Sequence, residues 1–251
     1  MRYELDQGAG GAGRAGLIVL STDETLEFEA RQVLAGRPVN LLHSRIPAQH
    51  HVTPELLRRM EAELAATAER LPEGLDVIGY ACTSAATLIG PARVARHLQE
   101  AHPGVPATDP MSAVIAALRV LGAERIGLVT PYVDSVTAPM RAHLEANGIT
   151  VARDVSFGEK NDRTVARIAE SSTREAMLEA AGAPGVKAVF ASCTNLRSFG
   201  VIEEVEEALN LPVISSNLAL IWHMLGLMGC DTRGWGPGRL FSHPAAALQD
   251  A

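Results

Sequence analysis

The amino-acid sequence predicts an α/β protein whose strands are mainly parallel and buried. From residue 16 onward, apolar runs of about four to six residues alternate with segments that have the periodicity of amphipathic helices. Hydrophobic residues make up 47 % of the 251 residues and charged residues 20 %, which is typical of folded chains. This length suffices for one large domain or two smaller ones with a buried core.

Seven segments are predicted to be strands because they are short, apolar and bounded by polar residues or glycine. They are residues 17–20, 39–43, 77–80, 126–130, 151–155, 188–191 and 212–214. The predicted helical segments are residues 54–70, 113–121, 138–147, 162–181 and 201–209. Thr53 and Pro54 form a typical helix start, and Gly122 and Gly148 stand where helices commonly end.

The first fifteen residues are rich in glycine and alanine, and we expect residues 1–15 to form a flexible N-terminal lead-in. Gly8, Gly10 and Gly13 have the spacing G-x-G-x-x-G. In dinucleotide-binding proteins that motif follows a strand and opens a helix. Here it precedes the first predicted strand, so it does not indicate a nucleotide site.

Charge and hydropathy exclude several classes of partner. The chain has 29 acidic and 22 basic residues, a net charge of −7, and no run of lysine and arginine that would favour nucleic acid. The longest apolar stretch, residues 218–230, is interrupted by His223 and is too short to span a membrane. Residues 1–15 lack the apolar core of a signal peptide, so we expect a cytoplasmic protein. Three cysteines do not indicate a disulfide framework.

The sequence contains an internal repeat. Residues 77–84 resemble residues 188–195, because each segment is a predicted strand that leads into Cys-Thr and then a predicted helix. Cys82 follows the strand end at Leu20 by 62 positions, and Cys193 follows the strand end at Thr130 by 63. The matched spacing predicts two similar halves, each with a cysteine at the carboxyl end of a strand.

Cys82 and Cys193 are the candidate catalytic residues. Ligands of parallel α/β sheets bind at the carboxyl ends of the strands. A helix N-terminus lowers the pKa of a thiol placed there and so favours the thiolate. Backbone N–H groups there can hold a carboxylate or a developing oxyanion; they belong to Thr83, Ser84, Thr194 and Asn195. Two thiols facing one small anionic substrate suit proton transfer on opposite faces of a carbon, or nucleophilic attack by one thiol assisted by the other. Neither reaction requires a metal or an organic cofactor.

The cysteines also have a simpler interpretation, because free cysteine often behaves as a small buried hydrophobe. The shared Cys-Thr context of Cys82 and Cys193 favours function over packing. Cys230 lacks that context, and we expect it to pack in an apolar C-terminal helix. The eight histidines form no metal-binding pattern with cysteine or glutamate.

Four polar residues are further candidates. Asp23 follows the first strand and either caps a helix or contacts substrate. Tyr132 occupies the equivalent loop of the second half, where its phenol could donate to a bound carboxylate. Asn161 could cap a helix or orient the same ligand, whereas capping is the favoured role of Asp162.

Several motifs resemble those of the aspartate/glutamate racemase superfamily. They are Tyr80-Ala-Cys-Thr-Ser-Ala85, Leu128-Val-Thr-Pro-Tyr132 and Ser192-Cys-Thr-Asn-Leu-Arg197. The most similar branches are maleate cis-trans isomerases and ectoine-utilization racemase-like proteins. The resemblance implies two Rossmann-like α/β subdomains related by a pseudo-twofold axis, with the active site in the cleft between them. Residues 16–109 with 215–251 would form the first subdomain, and residues 110–214 the second.

The resemblance also implies roles for individual residues. Cys82 matches the nucleophile that adds to the double bond of maleate, and Cys193 matches the proton donor or acceptor. Tyr132 matches a tyrosine that binds a substrate carboxylate, and Asn161 matches an asparagine that lines the site. Rotation within a covalent succinyl-like adduct and elimination would then give the trans isomer. In racemase relatives two such thiols exchange an α-proton from opposite faces.

One departure leaves the substrate open. Maleate isomerases typically carry Ser-Asn-Thr in the first loop, where this chain has Ser21-Thr-Asp23-Glu-Thr25, and an aspartate there should repel a dicarboxylate. The sequence of this loop resembles that of the ectoine-utilization branch more closely. That resemblance implies an ectoine-derived amino acid as substrate, and Asp23 would bind its nitrogen. Arylmalonate decarboxylases keep only the second cysteine, so Cys82 argues against that activity. The resemblance also implies a homodimer or higher homo-oligomer. The alternative of another class is a non-catalytic small-molecule binding protein.

Overall fold

Two four-stranded parallel sheets form the framework of the molecule. The computed structural model describes residues 1–6, 8, 9, 11 and 13–245. The first sheet has the order β2-β1-β3-β4 and the second the order β6-β5-β7-β8. The strands are β1 (Gly13–Leu20), β2 (Val39–Ile46), β3 (Val77–Ala81), β4 (Ala107–Thr108), β5 (Arg125–Tyr132), β6 (Thr150–Glu159), β7 (Ala188–Ala191) and β8 (Val213–Ser215). The same relative order occurs twice, which confirms the predicted α/β class with two similar halves.

Helices connect the strands, as parallel pairing requires. They are α1 (Leu26–Leu34), α2 (Pro54–Arg59), α3 (Leu64–Ala68), α4 (Thr83–Ile89), α5 (Pro91–Ala101), α6 (Pro110–Val120), α7 (Asp134–Ala146), α8 (Asp162–Val165), α9 (Glu170–Ala181), α10 (Ile202–Leu209) and α11 (Ser216–Leu227). Short 3-10 segments lie at Met60–Glu63, Phe199–Val201 and Arg239–Ser242. None of the helices in the part of the chain described above is long and apolar enough to cross a bilayer.

The central strands carry the core. Every residue of β3 and β7 is buried, because helices cover both faces of each sheet. Helices approach the central strands closely at glycines, which have no side chain. A Cβ at Gly127 of β5 would lie 2.5 Å from the carbonyl oxygen of Ala180 on α9, and one at Gly79 would lie 2.7 Å from the sulfur of Met224 on α11.

Several predicted boundaries differ from the structure. Strand β1 begins at Gly13, so the lead-in before it is shorter than residues 1–15. Gly10 of the glycine motif lies outside the described residues, and Gly13 belongs to a strand rather than a helix. The predicted helix 54–70 is divided into α2, a 3-10 turn and α3, and the predicted helix 162–181 is interrupted between α8 and α9. Apolar periodicity continues across such breaks, so it does not reveal them.

The last helix returns to the first half. α11 packs against α6, β3 and α1, and it ends at Leu227, three residues before Cys230. Cys230 therefore lies beyond the helix in which it was expected, and it is half-buried. The predicted subdomain boundaries, 16–109 with 215–251 and 110–214, remain a prediction.

Candidate functional site

A small cavity lies between the two halves, at the carboxyl ends of β1, β3 and β5. Its internal volume is about 20 Å³, enough for about one water molecule. The lining residues are Leu20, Ala48, Gln49, His51, Val52, Leu56, Leu57, Met60, Cys82, Ser84, Tyr132 and Asp162. The cavity is therefore mostly apolar, with a few polar groups that converge on one end.

A backbone bridge beside the cavity joins the two halves. The segment after β2 pairs with the segment after β6 through an antiparallel bridge between His51 and Asn161. Val52 N donates to the carbonyl of Lys160 at 2.9 Å, and Asp162 N donates to the carbonyl of His50 at 2.8 Å. His51, Val52 and Asp162 also line the cavity, so these backbone contacts join the two halves at its wall.

Cys82 is the N-cap residue of α4, as the sequence predicts. Its backbone is extended, with φ −150° and ψ 107°, and the residue is 4 % exposed. The Sγ atom lies 3.7 Å from the hydroxyl of Ser84. Burial raises the pKa of the Cys82 thiol to about 11, while the N–H of Ala85 and the hydroxyl of Ser84 favour the thiolate. The resting group is consequently a neutral thiol beside a helix N-terminus.

Cys193 does not open a helix, which corrects the sequence-based expectation. Its φ is 127°, a backbone conformation that residues other than glycine rarely adopt, and the next helical turn starts only at Phe199. The reason is that the intervening loop bonds across the cleft: Ser198 N and Phe199 N donate to Glu29 instead of to a helix. Cys193 is therefore not an N-cap residue, and the backbone donor to its Sγ atom is the loop N–H of Asn195 at 3.3 Å.

The Tyr132 hydroxyl connects the thiol of Cys193 to the carboxyl group of Asp162. Its hydroxyl lies 3.0 Å from Cys193 Sγ and 3.4 Å from Asp162 Oδ1. Thr22 donates its hydroxyl to Asp162 Oδ2 at 2.5 Å. Burial raises the pKa of Asp162, and burial together with that carboxylate raises the pKa of Cys193 well above its ordinary value. Residues from both halves therefore form one hydrogen-bonded cluster.

Asp23 caps α1 with one oxygen and leaves the other without a partner. Its Oδ1 accepts from Thr25 N and Leu26 N, each at 2.9 Å. Its Oδ2 is buried and has no hydrogen-bond partner among the described residues. Burial raises the pKa of Asp23 to about 6, with Asp162 acting in the same direction. Asp23 therefore has the capping role considered in the sequence analysis, and its second carboxylate oxygen is available for another contact.

Three other predicted contact residues are engaged by the protein itself. Thr83 donates to the hydroxyl of Ser216 at 2.8 Å, and that hydroxyl also accepts from Cys193 N at 3.0 Å. Thr194 donates to the carbonyl of Ala81 at 3.4 Å. Asn195 Oδ1 accepts from Glu24 N at 2.9 Å, and its Nδ2 donates to the carbonyl of Asp162 at 3.0 Å. Thr194 and Asn195 thus join the halves, and none of the three residues is among those that line the cavity.

Asn161 takes the capping role, one of the two left open for it, while the capping role favoured for Asp162 is wrong. Asn161 caps α8, since its Oδ1 accepts from Arg163 N at 3.0 Å, whereas Asp162 lines the cavity. A cap residue and its neighbour differ by one position, and sequence spacing alone does not decide which side chain faces inward.

Glu29 and Asn217 form a second buried cluster that the sequence analysis missed. Glu29 is 2 % exposed and accepts from Asn217 Nδ2 at 2.7 Å, and that same amide donates to the carbonyl of Thr194 at 2.8 Å. Burial raises the pKa of Glu29 to about 7. A usable signal exists, because Glu29 shares the helical face of Leu26, Ala30 and Val33, where an unpaired acid is unexpected.

Within the described residues, no three His, Cys, Asp or Glu side chains are grouped closely enough to hold a metal ion. The polar side chains that line the cavity are instead those of Gln49, His51, Cys82, Ser84, Tyr132 and Asp162, and the thiol of Cys193 adjoins them through the Tyr132 hydroxyl. Such groups can add to a double bond, donate or accept protons, and bind a small polar molecule.

The chain is similar to known enzymes over nearly its whole length. It is 29 % identical over 245 residues to a maleate isomerase of Geobacillus stearothermophilus, which covers 91 % of this chain and 97 % of that protein. It is 30 % identical over 186 residues to an arylmalonate decarboxylase of Bordetella bronchiseptica, covering 73 % and 74 % of the two chains.

The fold is similar to solved structures of the same enzymes. One is a cysteine-to-serine mutant of Nocardia farcinica maleate cis-trans isomerase with a covalently bound succinylcysteine intermediate. It has a TM-score of 0.82 and 26 % identity, and it covers 91 % of this chain and 98 % of that one. The arylmalonate decarboxylase family model matches residues 16–241. The chain therefore belongs to the arylmalonate decarboxylase family, within the aspartate/glutamate racemase-like superfamily.

Proposed function

We propose that this chain is a cofactor-independent isomerase that acts on a small carboxylate through Cys82 and Cys193, with maleate as the leading candidate substrate. One observation carries the proposal: a cysteine from each half contributes to a single buried cluster. Cys82 lines the cavity, and Cys193 reaches it through the Tyr132 hydroxyl at 3.0 Å. Maleate isomerases are among the relatives that cover nearly the whole chain.

The proposed reaction uses the two thiols in turn. The Cys82 thiol first releases its proton to water. The thiolate then adds to one alkene carbon of maleate, so that a C–S bond forms and the π electron pair moves to the neighbouring carbon; the same thiolate is regenerated when the C–S bond breaks. The neighbouring carbon takes the proton of the Cys193 thiol. Rotation about the new single bond follows; then Cys193 removes a proton, the C–S bond breaks, and fumarate leaves. Atoms and electrons balance without a cofactor.

The surroundings of each group support these roles. Cys82 has the helix N–H groups that favour a thiolate, whereas Cys193 follows a strand without capping a helix, accepts from the loop N–H of Asn195 and lies beside a phenol. Ser84 and Tyr132 present hydroxyls to the cavity, where each could donate to a substrate carboxylate.

A second candidate is a racemase or epimerase of a nitrogen-bearing carboxylate, such as an ectoine-derived amino acid. The observation that favours it is charge: Asp162 lines the cavity, Asp23 has a buried oxygen without a partner among the described residues, and no lysine or arginine is among the cavity-lining residues that the structure describes. A dianion is poorly matched to buried acids, while an amino group pairs with them.

Proton NMR of the purified protein in deuterated buffer tests both candidates. Maleate is added first, and the appearance of fumarate is followed with the wild-type protein and with Cys82→Ser and Cys193→Ser. Cys230→Ser serves as the matched control, because that cysteine is half-buried and lies outside the cavity lining. Loss of α-proton signals is then followed with a panel of ectoine-derived amino acids.

We expect fumarate with the wild-type protein and with Cys230→Ser, and none with the other two variants. α-Proton exchange without fumarate would replace the first candidate by the second. Thiol-independent turnover would contradict both. A ligand that raises the melting temperature equally in wild type and double cysteine variants, without turnover, would indicate a binding protein.

A further inference from the structure

The Tyr132 hydroxyl has one proton and two neighbours that compete for it. One is Cys193 Sγ at 3.0 Å, and the other is Asp162 Oδ1 at 3.4 Å. A phenol donates one hydrogen bond and accepts others through its oxygen. The direction of this proton therefore decides whether Cys193 donates to Tyr132 or accepts from it.

Asp162 is held firmly in its place. It is 3 % exposed, Thr22 donates to its Oδ2 at 2.5 Å, and Asp162 N donates to the carbonyl of His50 at 2.8 Å. An ionised carboxylate is a stronger acceptor than a neutral thiol, especially in a buried site. The phenolic proton accordingly points to Asp162, and the Tyr132 oxygen accepts the S–H of Cys193.

We propose that Asp162 is a positioning residue that directs the Tyr132 hydroxyl away from Cys193 and thereby keeps Cys193 as the protonated thiol of the pair. The two thiols would differ in function because they differ in surroundings. Cys82 has helix N–H groups and the Ser84 hydroxyl 3.7 Å away, while Cys193 faces a phenol that is already committed to a carboxylate.

Burial and charges around Cys193 raise its pKa, whereas hydrogen bonds to its sulfur lower it. The titratable groups that face it or its two partners are Asp23 from the loop after β1, Cys82 before α4, Tyr132 on β5, Asp162 on α8 and His50 after β2. Burial and Asp162 raise the pKa of Cys193, and Asp23 adds to this. Hydrogen bonds donated by the Tyr132 hydroxyl and by Asn195 N, 3.3 Å from Cys193 Sγ, lower this pKa, and the first of them is the one that Asp162 would divert.

The test measures the reactivity of Cys193 without any substrate. In a Cys82→Ser, Cys230→Ser background Cys193 is the only thiol, and its alkylation by iodoacetamide at fixed pH is followed by mass spectrometry. Below its pKa the rate is proportional to the thiolate fraction. Asp162→Asn, Tyr132→Phe and their combination are compared with this background, and Asp134→Asn, which removes an exposed carboxylate of the same half, is the control.

We expect Asp162→Asn to accelerate alkylation by about tenfold or more, since the Tyr132 hydroxyl can then donate to the Cys193 thiolate, and a hydrogen bond to the charged form lowers a pKa. The acceleration should shrink to about threefold or less in the Tyr132→Phe background, because the two residues act through one hydrogen bond. Equal acceleration in both backgrounds would overturn the proposal in favour of direct charge repulsion. Slower alkylation, which a proton-accepting Asp162 would produce, would overturn it as well.

This inference rests on the proposed function only in the use of Cys193 as proton donor. If the protein turns over maleate, the basic limb of the kcat–pH profile should move to lower pH in Asp162→Asn. If it does not, the alkylation cycle still decides the role of Asp162, so the two failures are distinguishable.

Discussion

Replacing Glu29 with glutamine should remove a specific pH dependence of folding. Glu29 lies between the halves, where its carboxylate accepts from Ser198 N at 3.1 Å, Phe199 N at 3.2 Å and Asn217 Nδ2 at 2.7 Å. Those hydrogen bonds favour the ionised form, but burial outweighs them and raises the pKa from 4.5 to about 7.

The size and sign of the effect follow from proton binding. Between pH 4.5 and about 7 the folded protein retains the Glu29 proton that the unfolded chain has lost, so this residue's contribution to stability falls as pH rises through that range. At about 1.4 kcal/mol per unit of pKa, the difference between the pKa of Glu29 in the folded and the unfolded protein corresponds to about 3 kcal/mol of stability. The contribution is fully present below pH 4.5 and lost above about pH 7.

The assay is urea unfolding of wild type and Glu29→Gln on both sides of this range. The free energy of unfolding of the wild type, relative to the variant, should decrease by about 3 kcal/mol from the acidic to the alkaline side. Glu24→Gln, which removes an exposed carboxylate nearby, controls for net charge. A wild-type-to-variant difference that does not change with pH, or that grows as pH rises, would refute the reasoning.

Three further outcomes are expected. Gly127→Ala should lower the free energy of unfolding by about 2 to 3 kcal/mol in urea unfolding, because its Cβ would lie 2.5 Å from the Ala180 carbonyl oxygen. Gly36→Ala, at φ 69° but with open space around the new Cβ, should lower it by only about 1 kcal/mol. Equal losses in the two variants would contradict the packing argument. Asp23→Asn should lower the KM for maleate in initial-rate assays by removing a buried charge, and an unchanged KM would place Asp23 away from the bound carboxylates. In the native protein, Ellman's reagent should modify Cys230 well before Cys82 or Cys193, which are each 4 % exposed; simultaneous reaction would contradict the burial.

The sequence predicts the parallel strands and the position of Cys82 correctly because these features are local. An apolar run followed by Cys-Thr and a helical pattern specifies a strand, a cap and a helix within a dozen or so residues. The duplicated strand order is likewise visible as matched spacing between Cys82 and Cys193.

The surroundings of Cys193 could not be predicted because they depend on contacts between the halves. The second Cys-Thr has the same local pattern as the first, yet the loop after it bonds to Glu29 on α1 and to Glu24 N. The inward position of Asp162 depends equally on Thr22, which lies 140 positions away along the chain. Local pattern carries no information about such partners.

The division of the thiols between two sheets has a consequence for how the protein loses activity. Cys82 is fixed by the end of β3 and Cys193 by the end of β7, so their separation depends on how the halves dock and on no single helix or strand. The docking contacts are hydrogen bonds such as that from Thr22 to Asp162 and that from Glu24 N to Asn195 Oδ1. Mild denaturation that loosens these contacts would separate the reactive groups while each sheet stays intact, so catalysis would fail before the secondary structure melts.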